Sequence, residues 1–480
     1  MAEDSEGYRD SLATINADGG RKWIYPKKPK GAFFTKRKIV SYVLLIVLFG
    51  TPHVTINGLP LLLFNIIERK FIIFGKIFWP QDFFIFAVAM LTGIVFIALF
   101  TIVFGRIFCG WVCPQTIFME MVFRRIEYII EGDYKQQKQL DKQPWNANKI
   151  FKKTLKQGIF FGISFLIANT FLAYIIGADA LWQIQTESPA EHIEGLVSLL
   201  IFSLVFYGVF AFMREQVCTT ICPYGRLQGV LLDSKSIIVG YDYVRGEGRG
   251  KFRKNEDRKE AGKGDCIDCN QRVDVCPTGI DIRNGTQLEC VNCTACIDAC
   301  DEIMVKIDRP KGLIAFDTDA NVQRRMEGKK SRLNLVRPRT IIYAVLFAAV
   351  GIIMLYALLN RSTLDMNVLR DRQPNYVSLS DGSVRNGYTI KVLNKVTRAR
   401  RFSLTTEQLP APVITLAGQR NDADIVLTVP ADETLDFKVY VRELQIKDLD
   451  QKVDFDFILT DMDTGDSTRS KAIFISGGPK

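Results

Sequence analysis

Residues 83–114 read FFIFAVAMLTGIVFIALFTIVFGRIFCGWVCP. Residues 83–105 of this stretch contain no charged side chain. A helix needs roughly 20 apolar residues to cross the ~30 Å hydrocarbon core of a bilayer, so the stretch predicts a transmembrane helix. Directly after it come Cys109 and Cys113, and the second is followed by Pro114. The stretch therefore predicts a membrane span that ends in a pair of thiols.

Four more apolar stretches favour membrane insertion over an interpretation as buried core helices. They cover residues 39–57, 158–177, 195–213 and 340–359. Together with 83–105 they predict an α-helical membrane protein with about five transmembrane helices. The first stretch is the weakest of the five because Pro52 and His53 interrupt it.

The pair of thiols occurs twice. Cys218 and Cys222, followed by Pro223, repeat the C-x-x-x-C-P pattern at a constant offset (218 − 109 = 109 and 222 − 113 = 109). Thiols four residues apart lie on one face of a helix, where they can chelate a soft metal ion or undergo dithiol–disulfide exchange. The following proline biases the second thiol of each pair away from helical geometry and can begin the next helix. Free cysteines also occur simply as small buried apolar residues, but the repetition beside two spans favours metal or redox chemistry.

The distribution of Lys and Arg predicts the orientation of the spans. Residues 178–194 contain neither, whereas the N-terminal segment, the connection 106–157 and the residues before the last span are basic. We therefore expect these basic segments, with residues 214–339, in the cytoplasm and everything after Asn360 outside. The segment 1–38 lacks an apolar stretch, so we expect no cleavable signal peptide. The net charge of +10 then reflects topology and attraction to anionic membrane lipid, not nucleic-acid binding.

The chain has 11 cysteines, and the seven outside the two pairs (11 − 4) all lie in residues 264–300, GDCIDCNQRVDVCPTGIDIRNGTQLECVNCTACIDAC. The second half of this segment has the C-x2-C-x2-C-x3-C spacing of bacterial ferredoxins, in which the fourth cysteine of each half ligates the other cluster. A zinc ribbon would not need this interleaved spacing. The segment therefore predicts one complete [4Fe–4S] site, formed by Cys276, Cys290, Cys293 and Cys296.

The second cluster site of this segment is predicted to be incomplete. Its ligands would be Cys266, Cys269 and Cys300, and Arg272 stands where the spacing calls for one more cysteine. A guanidinium stays protonated and offers no lone pair to iron. We therefore expect the second cluster to be labile, to be of the [3Fe–4S] type, or to be completed by an exogenous ligand.

Residues after 360 predict an all-β domain outside the membrane. The β-rich segments are GYTIKVL (387–393), PVITLAG (412–418), DIVLTV (424–429), LDFKVYV (435–441) and VDFDFIL (453–459). Short strands at this spacing predict a sandwich of roughly 100–120 residues.

The chain has only 2 histidines, which excludes His-rich metal clusters. His53 and His192 are expected on the same outer side, where they could bind copper together, although an ordinary interfacial role is favoured for each.

Four segments resemble a known family: CGWVCPQT, CTTICPYGRLQG, GDCIDC…VCPTGIDIRNGTQLEC and RDRQPNYVSLSDGSVRNGYTIK. They are similar to the cytochrome c oxidase accessory protein family of the CcoG/FixG type over nearly the whole chain. The resemblance implies a polyferredoxin of the bacterial inner membrane with a periplasmic immunoglobulin-like domain. It also implies reduction of copper, as substrate, in support of haem–copper oxidase assembly. Arg272 departs from the family pattern, which has cysteine at that position.

The sequence thus predicts five parts. They are a basic cytoplasmic segment (1–38), a four-span membrane domain with both thiol pairs (39–232), a cytoplasmic ferredoxin-like domain (233–339), a fifth span (340–359) and a periplasmic immunoglobulin-like domain (360–480).

On this interpretation a cytoplasmic electron donor reduces the complete cluster, and electrons pass to copper held by the helix-end thiols. Cys109, Cys113, Cys218 and Cys222 are then the predicted catalytic and copper-binding residues. The expected partners are haem–copper oxidase subunits or copper chaperones, the electron donor and membrane lipid. Two alternatives stay open: an electron-transfer subunit of a quinol dehydrogenase chain, which also has paired C-x-x-x-C-P motifs, and a redox-inert assembly scaffold whose clusters are structural.

Overall fold

The computed structural model describes residues 13–476, except for residues 17, 19, 68, 254–256, 259, 333, 397, 419–424 and 446–449. Residues 1–12 of the predicted N-terminal segment therefore lie outside the described residues. The chain divides into two compact units, Met1–Leu355 and Tyr356–Lys480. The first unit contains the cysteines, and the second contains the predicted β domain.

The first unit is mostly helical, and its last helix runs past the end of the unit at Leu355. Its helices, as far as the structure describes the chain, are α1 (Ala32–Gly50), α2 (Phe83–Phe104), α3 (Ile107–Trp111), α4 (Pro114–Ile117), α5 (Arg124–Ile130), α6 (Tyr134–Lys142), α7 (Ala147–Ile176), α8 (Ala178–Thr186), α9 (Ile193–Gly208), α10 (Pro223–Leu231), α11 (Tyr243–Gly246), α12 (Gln271–Asp274), α13 (Ala295–Lys306), α14 (Asp319–Met326) and α15 (Pro338–Leu359). π-Helical turns at Phe118–Phe123, Val209–Met213 and Val217–Ile221 interrupt this pattern.

Among the described residues, four helices are long and apolar enough to cross a membrane: α2, α7, α9 with its extension to Met213, and α15. Large apolar side chains on these helices are exposed, among them Ile94, Leu200 and Ile352. Such surfaces are stable against lipid, since acyl chains are as apolar as the side chains themselves. Four of the predicted spans therefore correspond to helices of suitable length and composition.

The predicted bounds of the first span, 39–57, are wrong. Helix α1 ends at Gly50, and Pro52 lies in the short 3₁₀ turn that follows it. Proline lacks the N–H that helix continuation requires, and its ring clashes with the preceding turn. The helix instead begins earlier and includes the cationic residues 36–38, and it is not among the four helices above. The count of five spans therefore stays a prediction.

The strands fall in three regions of the chain. Within the described residues they are β1 (Thr55–Ile56), β2 (Leu59–Pro60), β3 (Leu62–Asn65), β4 (Lys70–Ile73), β5 (Lys76–Phe78), β6 (Ile238–Tyr241), β7 (Ile314–Asp317), β8 (Leu364–Arg370), β9 (Val377–Ser378), β10 (Val384–Asn394), β11 (Arg400–Glu407), β12 (Pro412–Leu416), β13 (Val426–Val429), β14 (Thr434–Glu443), β15 (Lys452–Asp461) and β16 (Ser467–Ile475). The antiparallel hairpin β1–β2 and the meander β3–β4–β5 were not predicted from the sequence.

Strands β6 and β7 form an antiparallel pair that frames the cysteine-rich segment between them. The pair packs with α13 around Leu313, Met304 and Cys266. The amide of Ile237, just before β6, donates to the Val103 carbonyl oxygen at 3.1 Å, near the end of α2. Gly105 has a φ of 58°, and a Cβ there would collide with the Ile237 carbonyl oxygen. These contacts join the end of a membrane helix to the strand pair that frames the cysteine-rich segment.

The second unit is an all-β domain, as predicted. One sheet has the order β12–β14–β10–β8, with β9 also paired to β10, and the other has the order β13–β11–β15–β16. Their inner faces enclose a core that includes Tyr388, Phe402, Phe455 and Phe457. Alternating burial along β10 follows the period of two expected for a strand that covers a core. Asp424, in one predicted segment, lies outside the described residues.

Candidate metal centres

Four thiols of the cysteine-rich segment line one cavity: Cys276, Cys290, Cys293 and Cys296. Burial raises the pKa of Cys290 to about 12 and the pKa of Cys296 well above its usual value. Burial therefore disfavours the thiolate forms of these two residues, and a metal that binds them displaces protons. Four soft ligands around one cavity fit a [4Fe–4S] cluster.

A second set of thiols is formed by Cys266, Cys269 and Cys300. Burial raises the pKa of Cys300 to about 12, and the neighbouring Cys269 and Cys266 add to the effect. Arg272 does not complete this set: its Nη2 and Nε donate to the two carboxylate oxygens of Asp281, each at 2.7 Å. The residues present here do not fit a cluster held by four thiolates.

The two helix-end thiol pairs come together, although they lie far apart in the sequence. Burial raises the pKa of Cys218 to about 12, and its neighbours Cys113 and Cys109 raise it further. Cys113 and Cys222 have non-helical backbones and directly precede the helices that begin at Pro114 and Pro223, as predicted. The two thiols of the first pair do not share a single helix, because α3 ends before Cys113.

Side chains from both motifs fasten the pairs to one another. Cys109 Sγ donates to Gln228 Oε1 at 3.2 Å, and Arg106 Nε donates to the same oxygen at 2.7 Å. Arg106 Nη2 also donates to the Gly225 carbonyl oxygen at 3.3 Å. Arg106 and Gln228 were not among the predicted site residues, although both lie in or beside the two repeated motifs. That position is the signal that could have identified them.

The helix-end thiols lie close to the four-thiol cavity. Pro277, Thr278 and Val291 line that cavity and also line a second pocket together with Cys218. Gly110, inside the first motif, packs against the same segment: a Cβ there would collide with the Val291 carbonyl oxygen and lie 3.0 Å from the Asn292 carbonyl group. Only glycine allows this close approach. Gly110 was missed in the sequence, where it is merely a residue between two cysteines.

Buried ion pairs also contact the segment that lies between the helix-end thiols and the four-thiol cavity. The Arg124 side chain is 1% exposed and pairs with Glu120 and with Glu215, the latter at 3.5 Å. Its Nη2 also donates to the Pro277 carbonyl oxygen at 3.2 Å, next to a predicted cluster ligand. Arg214 pairs with Glu127 in the same network. No sequence signal identified this network, because charges beside a span normally face the membrane surface.

The two histidines do not form a shared site among the described residues. His192 Nε2 lies 2.6 Å from Glu187 Oε2, and both belong with Glu191 to a group whose ligand atoms all lie within 4.8 Å of one another. His53 is exposed and is not part of this group.

Family models match three segments of the chain. A family model described as a 4Fe-4S binding domain matches residues 86–130, and one described as a 4Fe-4S dicluster domain matches residues 213–319. A model of the Ig-like fold at the C-terminal of FixG matches residues 354–477. The first matched region includes one helix-end thiol pair, and the second includes the other pair and the seven remaining cysteines.

Similar proteins extend over most of the chain. "Nitrogen fixation protein FixG" of Rhizobium meliloti is 36% identical over 456 residues, which cover 88% of this chain and 86% of that protein. "Protein RdxA" of Cereibacter sphaeroides is 38% identical over 393 residues, covering 80% of this chain and 82% of that protein. The crystal structure of a FixG-related protein from Vibrio parahaemolyticus is 25% identical, covers 24% of this chain and 96% of that chain, and gives a TM-score of 0.20.

Apolar spanning helices and iron–sulfur domains define a membrane protein that transfers electrons through iron–sulfur clusters. The identity to FixG and RdxA over most of the chain then places it in a family. This chain belongs to the FixG family, as its motifs indicated.

Proposed function

We propose that this protein reduces Cu(II) to Cu(I) at the four helix-end thiols, with electrons from a cytoplasmic donor, in support of haem–copper oxidase assembly. The observation that carries the proposal is the wall shared between the four-thiol cavity and Cys218. Pro277, Thr278 and Val291 belong to both. The thiols are therefore adjacent to the place where the chain can hold a one-electron carrier.

A [4Fe–4S] cluster on Cys276, Cys290, Cys293 and Cys296 would supply the one-electron chemistry. The protein itself sets the distance between the four-thiol cavity and the helix-end thiols. Gly110 lets the first motif approach the backbone at Val291, and Arg124 at the start of α5 holds Pro277 through a hydrogen bond of 3.2 Å. Because these contacts fix the distance between the four-thiol cavity and the helix-end thiols, they favour electron transfer between the two sites.

The helix-end thiols favour the product of the reaction. Soft thiolates bind the soft cation Cu(I) more tightly than they bind the harder Cu(II). Cu(II) becomes Cu(I) by accepting one electron. Burial raises the pKa of the Cys109 and Cys218 thiols, so copper binding releases protons. Preferential binding of Cu(I) then makes reduction more favourable than it would be in water.

The proposed setting is the bacterial inner membrane, with the N-terminal segment and the ferredoxin-like domain in the cytoplasm. The support for this orientation is the absence of Lys and Arg from residues 178–194 and their abundance in the flanking segments. Cu(I) would pass from the thiols to a copper chaperone or an oxidase subunit, and the β domain would lie in the periplasm.

The test uses the full-length protein, purified without oxygen, reduced, freed of excess reductant and mixed with Cu(II). A Cu(I)-specific chelator measures the product. We expect the Cys109→Ser/Cys113→Ser and Cys218→Ser/Cys222→Ser double variants to lose at least about tenfold in rate while retaining the iron content of the wild type. His192→Ala is the matched control, since it removes a metal-binding side chain elsewhere, and its rate should be unchanged.

Two results would contradict the proposal. Cu(II) reduction that survives both double variants would exclude the helix-end thiols as the site. Rapid reduction of the protein by a quinol analogue, without any Cu(II) reduction, would instead favour an electron-transfer role in a quinol dehydrogenase chain.

A further inference from the structure

The two halves of the cysteine-rich segment repeat at a constant offset. Cys266 and Cys269 correspond to Cys290 and Cys293, since 290 − 266 and 293 − 269 both equal 24. Position 272 corresponds in the same way to Cys296. Arg272 therefore occupies the place of a cluster ligand in the repeat.

The backbone follows the same repeat. Asp268 and Asn270 are left-handed, with φ of 54° and 55°, and their counterparts Asn292 and Thr294 have φ of 52° and 65°. Helix α12 begins at residue 271 just as α13 begins at residue 295. Left-handed backbone is uncommon outside glycine, so its recurrence at both positions indicates the same local wrap. The chain at position 272 has the geometry of a ligand-bearing turn.

The Arg272 side chain extends from the ligand position toward a carboxylate. It is 5% exposed, and it binds both oxygens of Asp281 in a two-pronged pair. Arg283 shares Asp281 and also binds Asp268 at 2.6 Å. Arg283 Nη1 lies 3.8 Å from Cys266 Sγ. The largely buried Arg283 guanidinium therefore lies beside the three-thiol set, while Arg272 starts at the position of the missing ligand, pairs with Asp281 and also lines the four-thiol cavity.

We propose that the three-thiol set holds a three-iron cluster and that Arg272 excludes a fourth iron. Because a guanidinium has no lone pair, it cannot bind iron, and position 272 therefore supplies no fourth protein ligand. Its paired and buried position also obstructs an external ligand. Of the three outcomes that the sequence left open, the geometry favours the three-iron form over a labile or externally completed cluster.

A consequence for the redox order follows. Reduction potentials of iron–sulfur clusters depend on the net charge of the site and on hydrogen bonds to sulfur. Arg283 Nη1 lies 3.8 Å from Cys266 Sγ, and a guanidinium beside a cluster sulfur would stabilise the reduced, more negative state of a cluster held there. A cluster held by the three-thiol set would therefore have its reduction potential raised by Arg283. This inference stands whatever the helix-end thiols reduce.

The test uses full-length protein purified without oxygen, with iron and sulfide analysis and electron paramagnetic resonance. We expect about seven iron atoms per chain and the signal of an oxidised three-iron cluster, unchanged after incubation with Fe(II) and reductant. Arg272→Cys should raise the iron to about eight, abolish that signal and add a second reduced four-iron signal. Gln271→Cys is the matched control, because the Gln271 side chain accepts a hydrogen bond from Lys27 on another side of α12, and its spectrum should match the wild type.

A second variant keeps the test decisive if Arg272→Cys does not fold. Arg272→Gln removes the charge without adding a thiol, and it should take up a fourth iron from Fe(II) where the wild type does not. Eight firmly bound irons in the wild type would overturn the proposal. So would a three-iron signal that persists in Arg272→Cys, because that signal would then come from damage to the four-thiol cluster.

Discussion

The four-thiol and three-thiol sets have nearly the same local backbone, yet they offer different chemistry. The left-handed residues and the helix starts recur at equivalent positions of the two halves, but one set has Cys296 where the other has Arg272. Only the four-thiol set shares a wall with the helix-end thiol Cys218 among the described pockets. The comparison shows that spacing determines where the chain wraps, while a single side chain and its neighbours determine what the wrap can hold.

The largest expected effect comes from removing one cysteine ligand from either the four-thiol or the three-thiol set, because the two losses should affect Cu(II) reduction differently. Cys296→Ala should lower Cu(II) reduction by at least about 100-fold, since replacing even an indirect support of a metal site costs about 10–100-fold. Iron content should fall to that of the three-thiol set. Cys300→Ala is the matched control in the same helix, and it should lose the other cluster while retaining most of the copper reduction. Equal losses in both variants would contradict the proposed division of roles.

The second prediction concerns the ion pair that distinguishes the two sets. Asp281→Asn leaves the buried Arg272 with only the more distant carboxylate of Asp268, at 3.8 Å, and should destabilise the cysteine-rich segment by about 2 kcal/mol. This is less than the ~3–5 kcal/mol of a fully buried pair, because the Asp281 side chain is 22% exposed. The urea midpoint for loss of cluster absorbance should fall by about 1 M.

The control for that ion pair is an exposed one in the same segment. Lys306 and Glu302 are 62% and 55% exposed, so Glu302→Gln should change stability by less than about 0.5 kcal/mol. An Asp281→Asn midpoint shift as small as that of the control would mean that the Arg272–Asp281 pair does not stabilise the three-thiol set.

The contact between the four-thiol set and the first thiol motif provides a third prediction. Gly110→Ala introduces a Cβ that collides with Val291 and forces the two segments apart. We expect about a tenfold lower rate of Cu(II) reduction at unchanged iron content, and a loss of about 1–3 kcal/mol of stability from overpacking. Gly208→Ala is the control, since a Cβ there has no neighbour within 4 Å. Normal reduction by Gly110→Ala would show that this close approach is dispensable.

The smallest expected effect concerns a hydroxyl beside the three-thiol set. Burial, followed by the charge of Cys266, raises the pKa of Tyr241, whose hydroxyl lies beside that thiol. If the Tyr241 hydroxyl donates a hydrogen bond to a Cys266 thiolate, it stabilises the reduced, more negative state of a cluster held by that thiolate. Tyr241→Phe should therefore lower the potential of that cluster by about 40 mV, the equivalent of a ~1 kcal/mol hydrogen bond for one electron. Potentiometry followed by paramagnetic resonance measures it.

The control for Tyr241 is a nearby tyrosine. Tyr243 packs against the same small core, but its hydroxyl lies in the field of Asp319 and Asp242. Tyr243→Phe should leave both potentials unchanged, and Tyr241→Phe should leave the four-thiol set unchanged. A shift of both clusters by Tyr241→Phe would point to a general loss of packing.

Much of the fold could be predicted because it follows local patterns. Residues 83–105 contain no charge, and nearly all of them form helix α2, while the alternating segment 387–393 lies within β10. The first span was misjudged because Gly50 and Pro52 end α1 early, and a running average of hydrophobicity does not register a helix end. The small sheet at residues 62–78 was missed because its strands are only three or four residues long.

The candidate site was predictable to the extent that its ligands are close in sequence. Cysteine spacing alone grouped the ferredoxin-like thiols into sets of four and three, and the structure brings the same residues together. Gly110 and Gln228 could not be identified in this way, because each acts on a partner far along the chain.

The sequence by itself determined which residues can ligate soft metals, where apolar helices occur and that one ligand position is held by Arg272. These are properties of residue type and of spacing within a few turns of chain. The tertiary structure decided that two thiol pairs from distant parts of the chain meet beside the four-thiol cavity and that Arg272 pairs with Asp281. The physical reason is that packing at Gly110 and the pairing of buried charges are satisfied only when distant segments come together, and no local pattern records that distance.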